Sequence, residues 1–217
     1  SHTYAASGSY QIKIRGTFPS IYFNNGGDCL KLISIDNWGN IKCGSLLNSY
    51  YGCSNMTGTY IDVPNTSTCN SFQRTFMNCA KFNSPIRFSL GTATSCAAML
   101  QGCVVFNQDI SSLNTSNIQL FWDMFRNCTA FKQSLASISL AAATDLTNMM
   151  SGCNINATGT TTNYDATLVA WAAQDPPNSL NFHAGTSKYS VAGGGTAARA
   201  TLTNAPNSWT ITDGGQL

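Results

Sequence analysis

The chain has 217 residues, 43% of them hydrophobic but only 9% charged, so it can fill one sizeable core while its surface must be made largely of Ser, Thr, Asn, Gln and Gly. A net charge of +2 and a pI near 8.1, without any Lys/Arg cluster, argue against a nucleic-acid partner, and no run approaches the roughly 18 apolar residues needed to cross a bilayer. Nine cysteines, an odd count in a chain this long, do not fit the even-numbered disulfide frameworks of small secreted domains, so spacing must decide what they do.

Residues 1–45 read as β structure. The chain opens SHTYAASG without Met and so reads as a trimmed or processed part of something longer. Tyr10, Ile12 and Ile14 alternate, PSIYFN follows, and CLKLISIDNWG closes the segment. A β cap is expected here, because the first repeat beyond it would otherwise expose its core edge.

From residue 46 to about 160 the chain repeats. SYYGCSNM, TFMNCAKF, MLQGCVVF, MFRNCTAF and MMSGCNIN align Cys53, Cys79, Cys103, Cys128 and Cys153 at steps of 26, 24, 25 and 25 residues. Such a period marks stacked units. Three residues before each cysteine stand Tyr50, Phe76, Leu100, Phe125 and Met150; seven before stand Leu46, Phe72, Cys96, Phe121 and Leu146. Spacings of three and four predict one face of a two-turn helix in each unit. Gly52, Asn78, Gly102, Asn127 and Gly152 precede the cysteines and are expected to end those helices in the left-handed conformation, with Asn70, Thr94 and Thr144 at the N-caps. Beyond each cysteine come Met56, Phe82, Phe106 and Phe131, then Ile86, Ile110 and Leu135, then alternating pairs such as Phe88 with Leu90 and Ile138 with Leu140 that predict a short strand. The expected fold is α/β, a leucine-rich-repeat-like β/α solenoid, with the five cysteines and Phe76, Phe82, Phe106, Phe125 and Phe131 as its core ladder.

Residues 161–217 break the period. YDATLVAWAAQ predicts a helix with Leu168, Trp171 and Ala172 on one face, stopped by Pro176 and Pro177. LNF reads as a strand, GTAARATLT as a helix and SWTITDGG as a final strand, together a C-terminal capping module.

The units FNQDISSLNTSNIQLFWDMFRNCTAF and FNSPI resemble the leucine-rich repeats of BspA-type bacterial surface proteins, and YDATLVAWAAQ, NFHAGTSKYS and WTITDGGQ are similar to that family's C-terminal module. SHTYAASGSYQIKIRGTFPSIYF resembles the last strands of a polycystic-kidney-disease-type β domain. The resemblance spans nearly the whole chain and implies an extracellular or surface-displayed binding module, of a kind found in bacterial adhesin-like proteins and in phage-encoded virion proteins. The chain departs from the family where a strand tryptophan is replaced by Leu113 and Ile138, and where the Asp of the following turn is Asn114. Ligand transfer from relatives is therefore not carried over.

Candidate chemistry is sparse. Helices of neighbouring units should lie about 8–10 Å apart, too far for the roughly 7 Å limit of a disulfide, so the ladder cysteines are expected to pack as small apolar side chains. Cys29, Cys43, Cys69 and Cys96 fall outside the ladder, and a pair among them, such as Cys29 with Cys43, stays open. No Cys or His pair has metal-ligand spacing, and the two histidines, His2 and His183, stand near opposite ends. Asp109, Asp123 and Asp145 sit at different places in their repeats, which does not suggest a carboxylate pair. AGGGTAAR at 192–199 lacks both the dinucleotide and the Walker spacing and reads as a turn into a helix. No catalytic, metal or cofactor site is assigned, and the ligand-binding residues stay unassigned: Tyr51 and Trp122, as exposed aromatics, would suit a contact, but inter-repeat packing explains each equally well.

The expected function is a non-enzymatic recognition and adhesion module, extracellular, on a cell or virion surface such as a phage tail fibre or capsid decoration. Its partner would be a host-surface protein or glycan, without nucleic acid or membrane insertion. The alternative is an assembly or spacer domain that contacts neighbouring structural subunits or further copies of its parent, since low charge opposes self-association little.

Overall fold

In a computed structural model that describes residues 3–16, 20–40 and 42–217, the repeat region contains no helix. The chain instead runs as successive tight turns, laid one layer upon the next by backbone hydrogen bonds. Phe121, Asp123, Phe125 and Asn127 donate to the carbonyls of Asp145, Thr147, Met149 and Ser151 in the following layer, at 2.8–3.0 Å. The intervening Met124, Arg126 and Cys128 donate three residues back, to Phe121, Asp123 and Phe125. Residues 46–52 join 71–77, 72–78 join 95–101, and 96–102 join 120–126 in the same way.

The expected β/α solenoid, with a helix and a strand in every unit, therefore does not form. Five residues before each cysteine, Asn48, Arg74, Ala98, Asp123 and Asn148 have φ of 52–54°, in the left-handed region that stops helix propagation. With alternate N–H groups committed to the neighbouring layer, the i to i−4 bonds of an α-helix cannot be made. Apolar spacing of three and four is equally the signature of a string of three-residue turns. Phe88, Leu90, Ile138 and Leu140 are buried as alternation suggests, yet form no strand, because turns such as Ile138 N–H to Leu135 interrupt the segment. Asn70, Thr94 and Thr144 cap nothing helical; the Thr144 hydroxyl donates to Gln119 of the layer before.

The N-terminal β cap is likewise overturned. Tyr10, Ile12 and Ile14 are 46%, 73% and 50% exposed and form no strand. The alternation is present, but among the described residues no partner strand lies alongside. His2, Phe18 and Pro19 lie outside the described residues. Layering begins at Phe23, whose N–H donates to Ser49, while Asn25 donates to Tyr51 and Gly26 turns back to Phe23. The CLKLISIDNWG stretch makes one 3-10 turn, Cys29–Lys31, and a two-residue strand β1 (Ser34–Ile35), parallel to β2 (Thr57–Gly58).

Inside the layers, rings stack along the axis. Phe82, Phe106 and Phe131 follow one another at 6.1 and 6.0 Å between centroids, with planes within 12° of parallel, and Phe76 and Phe125 lie on Phe82 and Phe131 at 4.2 and 4.6 Å.

Beyond residue 160 two helices and two strands form. Helix α1 (Thr162–Ala172) buries Tyr164, Leu168 and Trp171. Its flank is tied to the layers by Thr167, which accepts the Leu135 N–H at 2.9 Å, and by Gln174 just past its end, which accepts that of Leu140. Strand β3 (Asn181–His183) continues the ladder, since Met150 donates to the His183 carbonyl, and β4 (Thr210–Thr212) pairs parallel to β3. Helix α2 (Gly195–Thr203) packs on α1 and supplies Arg199, which donates to the Ile211 carbonyl at 3.1 Å. A charged side chain thus covers part of the outermost strand's edge.

Candidate functional site

Nine thiols in one chain invite a chemical reading. All nine are free and buried. Cys79, Cys103, Cys128 and Cys153 each donate S–H to a carbonyl of the preceding layer, at Tyr50, Phe76, Leu100 and Phe125, over 2.9–3.1 Å. Burial pushes Cys153 up to about 11 and Cys53 up to about 12, and holds Cys103 and Cys128 well above the ordinary thiol range. A thiol kept protonated is neither a nucleophile nor a metal ligand. The spacing expected to keep these cysteines apart was mistaken: hydrogen-bonded layers lie about 4.8 Å apart, not 8–10 Å. Each Sγ is instead turned to a carbonyl.

The four cysteines outside the ladder also have framework places. Cys43 and Cys69 stand ten residues before Cys53 and Cys79, in a second buried column continued by Ala93, Ile118 and Ala143. Cys96 shares its column with Phe72 and Phe121. In the first layer Gly26 takes the cysteine position, and Cys29 the place held later by Met56 and Phe82, each turning back three residues.

The residues expected as helix caps are left-handed but cap no helix: Gly52, Asn78, Gly102, Asn127 and Gly152 have φ of 60–85°. Their alternation has a packing cause. A Cβ on Gly52, Gly102 or Gly152 would fall 2.2–2.5 Å from the side-chain oxygen of Asn25, Asn78 or Asn127 in the layer before. Asparagine in one layer leaves room only for hydrogen in the next.

The outer face of the turns carries the candidate site, an open groove of about 330 Å³ lined by Trp122, Asp123, Asp145, Thr147 and Asn148. Two adjacent layers supply it. Asp123 and Asn148 are the left-handed residues of their turns. The Asp123 Oδ2 atom faces Arg126 at 3.4 Å, while Oδ1 is enclosed without a hydrogen-bond partner. Asp145 accepts the Thr147 N–H at 2.8 Å, leaving that hydroxyl at the exposed mouth. The Arg74 guanidinium sits 5.4 Å over the Trp122 ring, reaching past the layer of Ala97 and Ala98, which are fully buried. The structure thus brings together Trp122, Asp123 and Asp145. Tyr51, half-buried, does not line the groove.

The remaining polar candidates have local partners. Asp109 is exposed, and the backbone N–H and hydroxyl of Ser111 hold its carboxyl below the usual range. His183 Nδ1 accepts the Gly185 N–H at 3.0 Å. In the AGGGTAAR loop, Gly193 and Gly195 approach the Asp165 carboxylate so closely that a Cβ on either would overlap it, and Asp165 also accepts the backbone and hydroxyl of Ser190. That loop serves helix packing. Tyr164 and Arg199 share Asp213, at 3.0 and 2.8 Å. Among the described residues no three His, Cys, Asp or Glu side chains are placed to hold a metal ion, and no helix is long and apolar enough to cross a membrane.

Comparison with curated proteins and with solved structures found no match. One family does match, over residues 44–164, more than half the chain and the whole run of layers from Leu46 to Cys153. The chain belongs to the family described as Mycoplasma protein of unknown function, DUF285.

Proposed function

We propose that the chain is a non-enzymatic recognition and adhesion module, displayed on a bacterial cell or phage virion, that binds a host-surface protein or glycan. The observation that carries this reading is the groove around Trp122 on the outer face of the turns. Its walls are held by interlayer backbone bonds and the Arg74–Trp122 contact, so little ordering entropy opposes binding. A surface poor in charge suits recognition by hydrogen bonds and ring contacts. The resemblance to BspA-type surface proteins supports display outside the cell. Titrating fluorescently labelled protein onto host cells tests it: saturable binding is expected, and its absence would overturn the reading.

The assembly or spacer alternative draws on the first layers, where Leu30, Ile33, Ile61 and Val63 are exposed apolar side chains. Binding only to purified virion or cell-wall components would favour it. Turnover of envelope polysaccharide by the purified protein would overturn the non-enzymatic reading.

A further inference from the structure

Resting on the recognition reading, we infer that the Trp122 groove is a glycan subsite that takes a neutral pyranose ring against the indole and reads its hydroxyls with Asp145, Thr147 and Asn148, with Asp123 in its wall. The chemistry of the lining selects this class. The Arg74 guanidinium covers one face of the indole and fixes its orientation, and the opposite face is the flat apolar surface for the C–H side of a sugar ring. Asp145 uses only Oδ1, for the Thr147 N–H, so its Oδ2 is open to a hydroxyl donor; Asp123, with Oδ1 sealed from solvent and Oδ2 against Arg126, forms the wall. The Asn148 amide makes no side-chain hydrogen bond to another described residue, and the Thr147 hydroxyl is open to solvent. Neighbouring sugar hydroxyls donate and accept together, which this mixed set requires.

Charge argues against the two competing ligands. A cation would be drawn by the carboxylates, but Arg126 already lies against Asp123. An anion would meet Asp123 and Asp145. Arg126 offsets one of the two carboxylates, and the rest of the lining is uncharged and polar, which suits a ligand with many hydroxyls. The depression, of about 330 Å³, is shallow and mostly open to solvent, which admits one or two rings of a longer chain.

The test is saturation-transfer NMR and heteronuclear titration of the whole chain with the methyl pyranosides of glucose, galactose, mannose and N-acetylglucosamine, alongside an acetyl-lysine amide probe. At least one glycoside is expected to receive saturation at its ring protons and to shift the Trp122 indole N–H and the Asn148 amide. Trp122→Ala should raise Kd at least about tenfold. Thr147→Arg, at an exposed residue whose bulk would fill the groove, should abolish the response without moving Tm. No response to any glycoside, a response that Thr147→Arg leaves intact, or a groove response to acetyl-lysine alone would overturn the inference. Cell binding by wild type and Thr147→Arg separates the two proposals. Equal binding sinks the groove and leaves recognition standing, whereas no binding by either sinks recognition.

Discussion

Cys128 is fully buried, with its Sγ 3.0 Å from the Leu100 carbonyl of the preceding layer. Cys128→Ala removes one sulfur from this site. Losing a buried group of roughly methylene size costs about 0.8 kcal/mol. A residual cavity of roughly 25 Å³, at about 24 cal/mol per Å³, adds about 0.6 kcal/mol. Alanine should therefore destabilise the fold by about 1.5 kcal/mol. Cys128→Ser keeps a donor for Leu100, so most of the cost of burying a hydroxyl is offset and the loss should be similar. Cys128→Val has no donor and adds branched bulk to a filled column, for about 1–3 kcal/mol. Urea unfolding reads all three as shifts in midpoint at constant slope. Serine costing about 3 kcal/mol more than alanine would mean that no acceptor faces the thiol. An alanine variant as stable as the parent would mean that the column is not packed.

Other consequences can be checked alongside. Gly185→Ala should cost about 3 kcal/mol in the same assay, because φ is +66° and the new Cβ would fall 2.0 Å from the Cys153 carbonyl oxygen; a neutral effect would contradict the docking of the 183–187 turn on the last layer. Asp213→Ala, which strands Tyr164 and the partly exposed Arg199, should cost about 2 kcal/mol, and an unchanged Tm would contradict that network. Stability should also fall in alkali. Burial raises the folded-state pKa of eight thiols, Cys43, Cys53, Cys69, Cys79, Cys96, Cys103, Cys128 and Cys153. Their stabilisation is complete below an unfolded value of about 8.5 and is lost as pH climbs through the folded values, about 11 for Cys153 and about 12 for Cys53. Each thiol weakens the fold by about 1.4 kcal/mol per pH unit inside its window. Tm that stays flat to pH 11 would refute their burial.

The period and the inward columns were legible from the cysteine alignment, because packing against the next layer demands the same small or apolar residue at each turn. The conformation of the turns was not. Arg74 and Ala98 take left-handed φ where nothing in those residue types announces it; Asn48, Asp123 and Asn148 carry a hint at that position. Without that break, spacings of three and four read as helix. Extending the alignment ten residues upstream would have found the Cys43 and Cys69 column, whereas Cys29 is placed only by the Gly26 turn. In the last third, helix and strand patterns sat where α1, β3, α2 and β4 form, because a proline pair and a glycine run punctuate them. The groove was half visible. Trp122 stood out as an aromatic, but Asp123 and Asp145 occupy different repeat positions and meet only through the offset between layers, which spacing along one chain does not convey.

Whether the nine cysteines are framework or chemistry is decided most directly by counting reactive thiols with iodoacetamide and intact-mass detection at neutral pH. The layered fold predicts no labelled cysteine in the time that the urea-unfolded chain takes up nine. Rapid labelling of any ladder thiol in the native protein, or a disulfide joining Cys128 to Cys103 or Cys153, would contradict it.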